Sequence, residues 1–335
     1  MRMLPETEKA EMLPIVLLAP WLNSISFENT VNIVKDCVGE IPIIVDLDRH
    51  FQSSSALPSR QFFRELLDKE TGPAVWLRFV TDQKNYVPCI QLFDRTPQQV
   101  EYQIDVAREL GRGMVFRFEL ERRYDFDALF GYIEANMSDR LLTVFDAGYG
   151  DPTELREAAV SQLIDRLIAI SGDARFVVSS SSFPNEFSDF DNFEESPPIG
   201  SRILFANLSR KYGNYSMYYG DWASTKPRRY DGGGSRPLPR IDYPTKSRWI
   251  IARSKDEEWD FEDAAVRITR LPEWSNRPMI WGTGMIEKTA KGLPGGISSG
   301  PEAIASRVNI HLYLQNHYST SEPPPTPQGK WVDPI

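Results

Sequence analysis

The chain has 335 residues, of which 41% are hydrophobic, 25% charged and 12% aromatic, a composition that excludes a disordered or fibrous protein. That length suits two ordinary domains or one large barrel. With 38 basic against 47 acidic side chains the net charge is −9, which excludes a global positive field toward nucleic acid or membrane and leaves only local polyanion contacts.

Residues 1–12 are charged and lack an apolar stretch or a small-residue cleavage site, so we expect no secretory leader. Residues 13–22, the longest apolar stretch, are broken by Pro14 and Pro20 and fall short of the ~20 residues of a spanning helix. The expectation is a cytoplasmic protein with no membrane partner. Cys37 and Cys89 lie in apolar surroundings and read as free thiols of a reducing compartment.

Nine strand candidates follow in order: 14–20, 42–48, 74–80, 87–93, 113–119, 141–148, 175–181, 215–221 and 248–253. Most are near-continuous apolar runs, the pattern of parallel strands buried on both faces. Helical spacing separates most of them. Thr96-Pro97 opens one helix and Gly111 stops it; Asp151-Pro152 opens another, with a stripe of Leu155, Ala159, Leu163, Leu167 and Ile170. Ser59 caps a third, and 125–136 and 200–211 are also helical.

This alternation predicts a TIM-barrel-like (β/α)8 single domain over 13–270, with an open doubly wound sheet as the alternative. Long loops are expected at its C-terminal face. Residues 271–320 form a C-terminal helical extension on the barrel, carrying Ile304, Val308, Ile310 and Leu314, and 321–335 a Pro-rich tail. The run at 80–87 is too short for a crossover helix, so one strand candidate lies outside the barrel.

Functional groups of a barrel gather at the carboxyl ends of its strands. Those ends hold Asp46 and Asp48, Arg78, Asp94, Arg117 with Glu119, Asp146, Ser179 to Ser182, Asp221 and Arg253. Arg117 and Glu119, two apart on a strand, share a face, and a buried arginine there demands carboxylate partners. Asp46, Arg117, Glu119, Asp146 and Asp221 are the candidate catalytic residues. The carboxylates would act as acid and base or as ligands of Mg or Mn, although a cofactor-free site fits equally well. The turn at 145–151, with Gly148 and Gly150, either holds a phosphate or merely bends the chain. His50 follows a strand end; His311 and His317, six apart, fall on different helix faces.

Two irregular stretches complete the reading. Residues 182–199 carry five acidic side chains and four phenylalanines; residues 223–247 carry a net +4. Arg228, Arg229, Arg236 and Arg240 of the second, with Arg78 and Arg253, are the candidate binding residues for a polyanion or a protein partner, and the two loops could lie side by side.

In order along the chain stand Pro14, Pro42 with Asp46 or Asp48, Arg117, Asp146 with Gly148, Ser182-Phe183-Pro184, Gly220-Asp221-Trp222, Trp249 and His311. This succession resembles the beta family proteins of phages and bacteria, named after a beta protein of a T-even phage. The likeness spans 13–317; the Lys and Glu expected after the first strand are missing after Pro20, and the doubled histidine is His311-Leu312. The resemblance implies a barrel-like fold and a phage-related or antiphage-defence setting, with no settled activity. Three functions follow. The first is a sensing or binding component holding a phosphate-bearing or protein ligand at the barrel mouth. The second is a carboxylate- or metal-dependent hydrolase or phosphodiesterase, and the third a structural or interaction subunit.

Overall fold

β2, Ile43–Leu47, is buried along its whole length, and the fold is built outward from strands of this kind. The structure is a computed structural model describing residues 1–187, 190, 196–226, 238–256 and 258–318. Among these, the chain begins with α1 (Glu6–Ala10), β1 (Ile15–Leu18), α2 (Glu28–Val38) and β2, then α3 (Pro58–Leu67), α4 (Gly72–Thr81), β3 (Tyr86–Pro88) and α5 (Pro97–Leu110). It continues through β4 (Met114–Glu119), α6 (Phe126–Ala135), β5 (Leu141–Tyr149), α7 (Glu154–Ile170), β6 (Arg175–Ser181), α8 (Gly200–Tyr212) and β7 (Ser216–Asp221). The hairpin β8 (Arg240–Pro244) and β9 (Trp249–Arg253) and the helices α9 (Phe261–Thr269), α10 (Trp281–Ala290) and α11 (Gly300–Asn316) complete it.

Strands β1–β3 form one parallel sheet in chain order and β4–β7 another. A parallel bridge between Cys89 and Val115 links the two. The α/β class is as expected, and the described strands make sheets of three and four, with a separate antiparallel pair β8–β9, so a closed eight-stranded barrel is not what the pairing gives.

Alternation along the strands sorts side chains into two layers. On one face Ile43, Val45 and Leu47 pack with Phe63, Trp76 and Leu77, while Phe116, Phe118, Phe145 and Phe176 pack with α5 to α8. On the other face Ile44, Cys89, Val115 and Val144 form a small cluster joined by Ile15, Val87, Leu142 and Val177. That cluster crosses from one sheet to the other and floors the polar layer described below. A further core, with Ile241, Ile250, Ala264, Ile286 and Ile310, seats α9 to α11 on the hairpin.

Four expectations need correction. Residues 74–80 are helix α4, opened by Pro73 and burying Trp76, Leu77 and Val80 at helical spacing; a short apolar run does not declare its period. Arg78 is therefore on an exposed helix face and not at a strand end. β8 lies inside the stretch read as irregular, so Arg240 begins a strand. α7 is capped by Thr153 in place of Asp151, and it buries Val160, Leu163, Ile164 and Leu167 while Leu155 stands 82% exposed. For α3 the cap position is Leu57, and the Ser59 hydroxyl donates to the Ser24 carbonyl. Thr96 forms the expected capping box with Gln99, and Gly111 ends α5 in the left-handed region. Both cysteines are free thiols, and no described helix is long and apolar enough to cross a membrane.

Candidate functional site

Two residues beyond the apolar floor, each strand places a polar side chain on the same face. Ile44 is followed by Asp46, Val115 by Arg117 and Glu119, Val144 by Asp146. Register sets Arg117 beside Val144 and Glu119 beside Asp146, so the arginine lies low among carboxylates from three strands. Its guanidinium donates to Asp46 at 3.0 Å, Glu119 at 3.1 Å and Asp146 at 2.5 Å. Side-chain exposures of 8% for Arg117 and 4% for Asp146 mean these charges are nearly dry. Burial opposes the Arg117 charge, but Asp146, Asp46 and Glu119 outweigh it and hold the group well above its ordinary range.

The carboxylates have further donors. Asp146 accepts from the Trp222 indole at 3.1 Å and from the Gly148 amide at 3.1 Å. Gly148 turns back at φ +78°, in the left-handed region that favours glycine. Glu119 is also paired with Arg122. Asp46 accepts from the Gln91 amide at 2.7 Å, and Gln91 in turn accepts from Arg49 at 2.5 Å. Gln91 is fixed from behind by Gln103, whose Oε1 accepts the Gln91 backbone N–H at 2.8 Å. Asp46, Arg49, Gln91, Phe93, Arg117, Glu119 and Tyr124 line a cleft of about 20 Å³, room for one water-sized group. Burial pushes the Tyr124 phenol up to about 12 and the Cys89 thiol well above its ordinary range, so both stay protonated at neutral pH.

Asp221 belongs to a different constellation. Its carboxylate meets His311 Nε2 at 2.7 Å and the Tyr219 hydroxyl at 2.7 Å, and accepts the Ala223 amide at 2.7 Å. Burial works against its ionisation, yet His311, Tyr219 and the amide together hold it below the usual carboxylate range. His311 is 1% exposed and lies 4.9 Å from Trp249, ring to ring, which in turn packs edge-on against Phe183. Beside it Arg307 of α11 donates to Asp242 at 2.7 Å, Arg240 donates to the other oxygen at 2.6 Å, and Arg307 covers the Phe183 ring. α11 is thus clasped to β7 and β8.

The structure therefore brings Asp46, Arg117, Glu119 and Asp146 together and sends Asp221 to His311, splitting the carboxylate set offered for Mg or Mn. Among the described residues no group of three or more His, Cys, Asp or Glu side chains is arranged to hold a metal ion. Arg253 ends an antiparallel strand and donates to the Phe187 carbonyl, and Arg240 stacks on Phe187 at 3.4 Å. The acidic and basic stretches do meet, at these residues. Arg228, Arg229 and Arg236 lie outside the described residues. In the turn at 145–151 the Gly148 amide donates to Asp146 and the Gly150 amide to the Ser181 carbonyl, so neither glycine N–H is open to a phosphate. His50 is largely exposed, 3.9 Å from Glu119. Arg49, Gln91 and Arg122 were missed; the one signal for Arg49 was its place just past a strand end.

Along the chain, the succession of motifs has a spatial meaning: Asp46, Arg117, Asp146 and Trp222 form one connected group, Asp221, His311, Trp249 and Phe183 another. The family profile described as Beta protein matches residues 1–317. Protein beta of Enterobacteria phage P4 is 26% identical over 318 residues, covering 92% of this chain and 86% of that protein. That relative comes from phage P4, whereas the motif resemblance attached the name to a T-even phage. The match runs through every element that builds the two constellations: the chain belongs to the Beta protein family.

Proposed function

We propose that this chain is a sensing or binding component of a phage-related setting, taking its ligand at the carboxyl mouth of the parallel strands. One observation carries the reading: Asp46, Glu119 and Asp146 are all committed to Arg117. A carboxylate bonded to a buried guanidinium is a weak base, so these three are poorly suited to general acid–base work. What they do well is hold a rigid, polar rim. The reading also takes β1 to β7 as a barrel-like wall, supported by their chain-order parallel pairing, the Cys89–Val115 bridge and the shared inner cluster. The phage P4 relative supports the setting and adds nothing on activity.

The test uses the full chain, immobilised and exposed to lysates of phage-infected and uninfected cells. The comparison is Phe93→Asp, a change at the 38% exposed rim that the fold should tolerate. Small molecules and proteins retained by the wild type and lost by the variant are expected. In parallel, a panel of phosphodiesters and nucleotides is incubated with Mg or Mn. Turnover that disappears in Asp146→Asn, with no cleft-dependent retention, would replace this reading with the hydrolase.

A further inference from the structure

The three carboxylates at the floor of the mouth are used up, but the guanidiniums at its rim are not. Arg49 makes a single hydrogen bond, to the neutral Gln91 carbonyl, and no ion pair among the described residues. Gln91 has no freedom in this. Its amide nitrogen donates to Asp46, an acceptor-only group, so its oxygen must face Arg49. Arg122 engages Glu119 through Nε alone, which leaves its two terminal nitrogens without a protein partner among the described residues. Both guanidiniums lie over one ring: Arg122 is 4.8 Å and Arg49 5.9 Å from the Phe93 centroid.

Two like charges do not gather on one exposed ring without cost. Burial lowers the Arg49 affinity for its proton; Asp46 opposes that and Arg122 adds to it, so the pair is held by the fold against mutual repulsion. Of the acids nearest to them, Asp46 faces inward toward Arg117, and Glu119 is divided between Arg117 and the Nε of Arg122. Arg49 lines the cleft with Gln91 and Phe93, and Arg122 borders it over the same Phe93 ring.

Resting on the reading of the mouth as a binding site, we propose that Arg49 and Arg122 clamp the terminal oxyanion of the ligand, a phosphate monoester or a carboxylate, against Phe93. Guanidinium forks match such groups in bidentate fashion. The cleft volume of about 20 Å³ admits one oxygen and leaves the body of the ligand outside, so the recognised feature is an anionic end.

The probes are inorganic phosphate and acetate at tens of millimolar, each compared with KCl at matched ionic strength by thermal unfolding. For the wild type, phosphate or acetate should raise Tm by about 2–5 °C beyond KCl. Arg49→Met should lose this increment, and Arg78→Met, altered on the exposed face of α4, should keep it. Should Arg49→Met not fold, Arg49→Lys keeps the charge without the fork and should roughly halve the increment. An increment no larger than that of KCl, or equal in wild type and Arg49 variants, overturns the clamp. Larger effects of phosphate than of acetate favour a phosphate monoester; the reverse favours a carboxylate. Cleft-dependent retention from lysate with no oxyanion response would overturn the clamp and leave the binding reading standing. An oxyanion response without any retention would do the opposite.

Discussion

The mouth of the parallel strands and the seat of α11 both bury charge, yet they are built on different plans. At the mouth one buried cation touches three acids: Arg117 holds Asp46, Glu119 and Asp146, and Glu119 has a second cation in Arg122. At the seat the acids do not share their partners: Asp221 has His311, Tyr219 and the Ala223 amide, and Asp242 has Arg307 and Arg240. The mouth joins three parallel strands, with Arg117 reaching Asp46 across 71 residues; the seat joins α11 to β7 and β8, 65 to 90 residues away. A shared cation fails for all its acids at once, whereas separate partners fail one at a time. Neither arrangement adds much net stability, because desolvating each ion costs several kcal/mol. The asymmetry appears when a member is removed.

The largest effect should come from Arg117→Ala. It leaves Asp46 and Asp146 without their cation and Glu119 with Arg122 alone, and should cost about 3–5 kcal/mol in urea unfolding, with the same slope as the wild type. Arg117→Lys should recover only part, since one ammonium cannot fork to three acids. A loss below about 1 kcal/mol would mean that water or rearranged partners already serve these acids, and the contrast between the two regions would collapse.

Arg307→Ala comes next. Asp242 keeps Arg240 at 2.6 Å, so the loss should be smaller, roughly 2 kcal/mol, below the range for an unpaired buried charge. Hydrogen exchange sharpens the point. Protection should fall in α11 and β8 and persist in β2, β4 and β5, because the contacts removed belong to the seat alone. Uniform loss across the parallel strands would show that the seat and the mouth unfold as one.

The strand-end carboxylates and the shared face of Arg117 and Glu119 were legible because they depend only on alternation along a strand and on where runs end. Their grouping around one arginine across 71 residues was not legible, since pairing register leaves no periodic trace. Gln91 and Gln103 carry no apolar signal that would mark them as buried, yet they are 2% and 0% exposed and bond one another. Helix α4 was hidden in an apolar run too short to fix its period, and β8 in a five-residue stretch, RIDYP, bounded by prolines. The motif order that carried the family resemblance marked Asp221, Trp249 and His311 without saying that they touch.

Asp221→Asn tests the seat by pH. The folded carboxyl lies below its unfolded value of ~3.9, so its contribution is present above about pH 4 and is lost as pH falls through the folded value. The stability gap between wild type and variant should therefore be widest above pH 4 and narrow on acidification, in urea unfolding at pH 3 to 6. A gap that widens toward low pH would require a raised carboxyl and a different partner set.

The smallest effect belongs to His50→Ala, and its size decides whether this histidine serves the acids of the mouth beside Arg117 and Arg122. The His50 ring is 63% exposed and 3.9 Å from Glu119, which already has Arg117 and Arg122. Its backbone amide donates to Asp48 at 3.1 Å, a bond that alanine retains. An exposed histidine at that distance interacts through water-like dielectric and is screened by salt, so removal should change stability by no more than about 0.5 kcal/mol. Urea midpoints of wild type and variant at pH 5.5 and 7.5 should coincide at both values. If the variant falls behind by about 1 kcal/mol at pH 5.5 only, protonated His50 is an additional cation of the mouth.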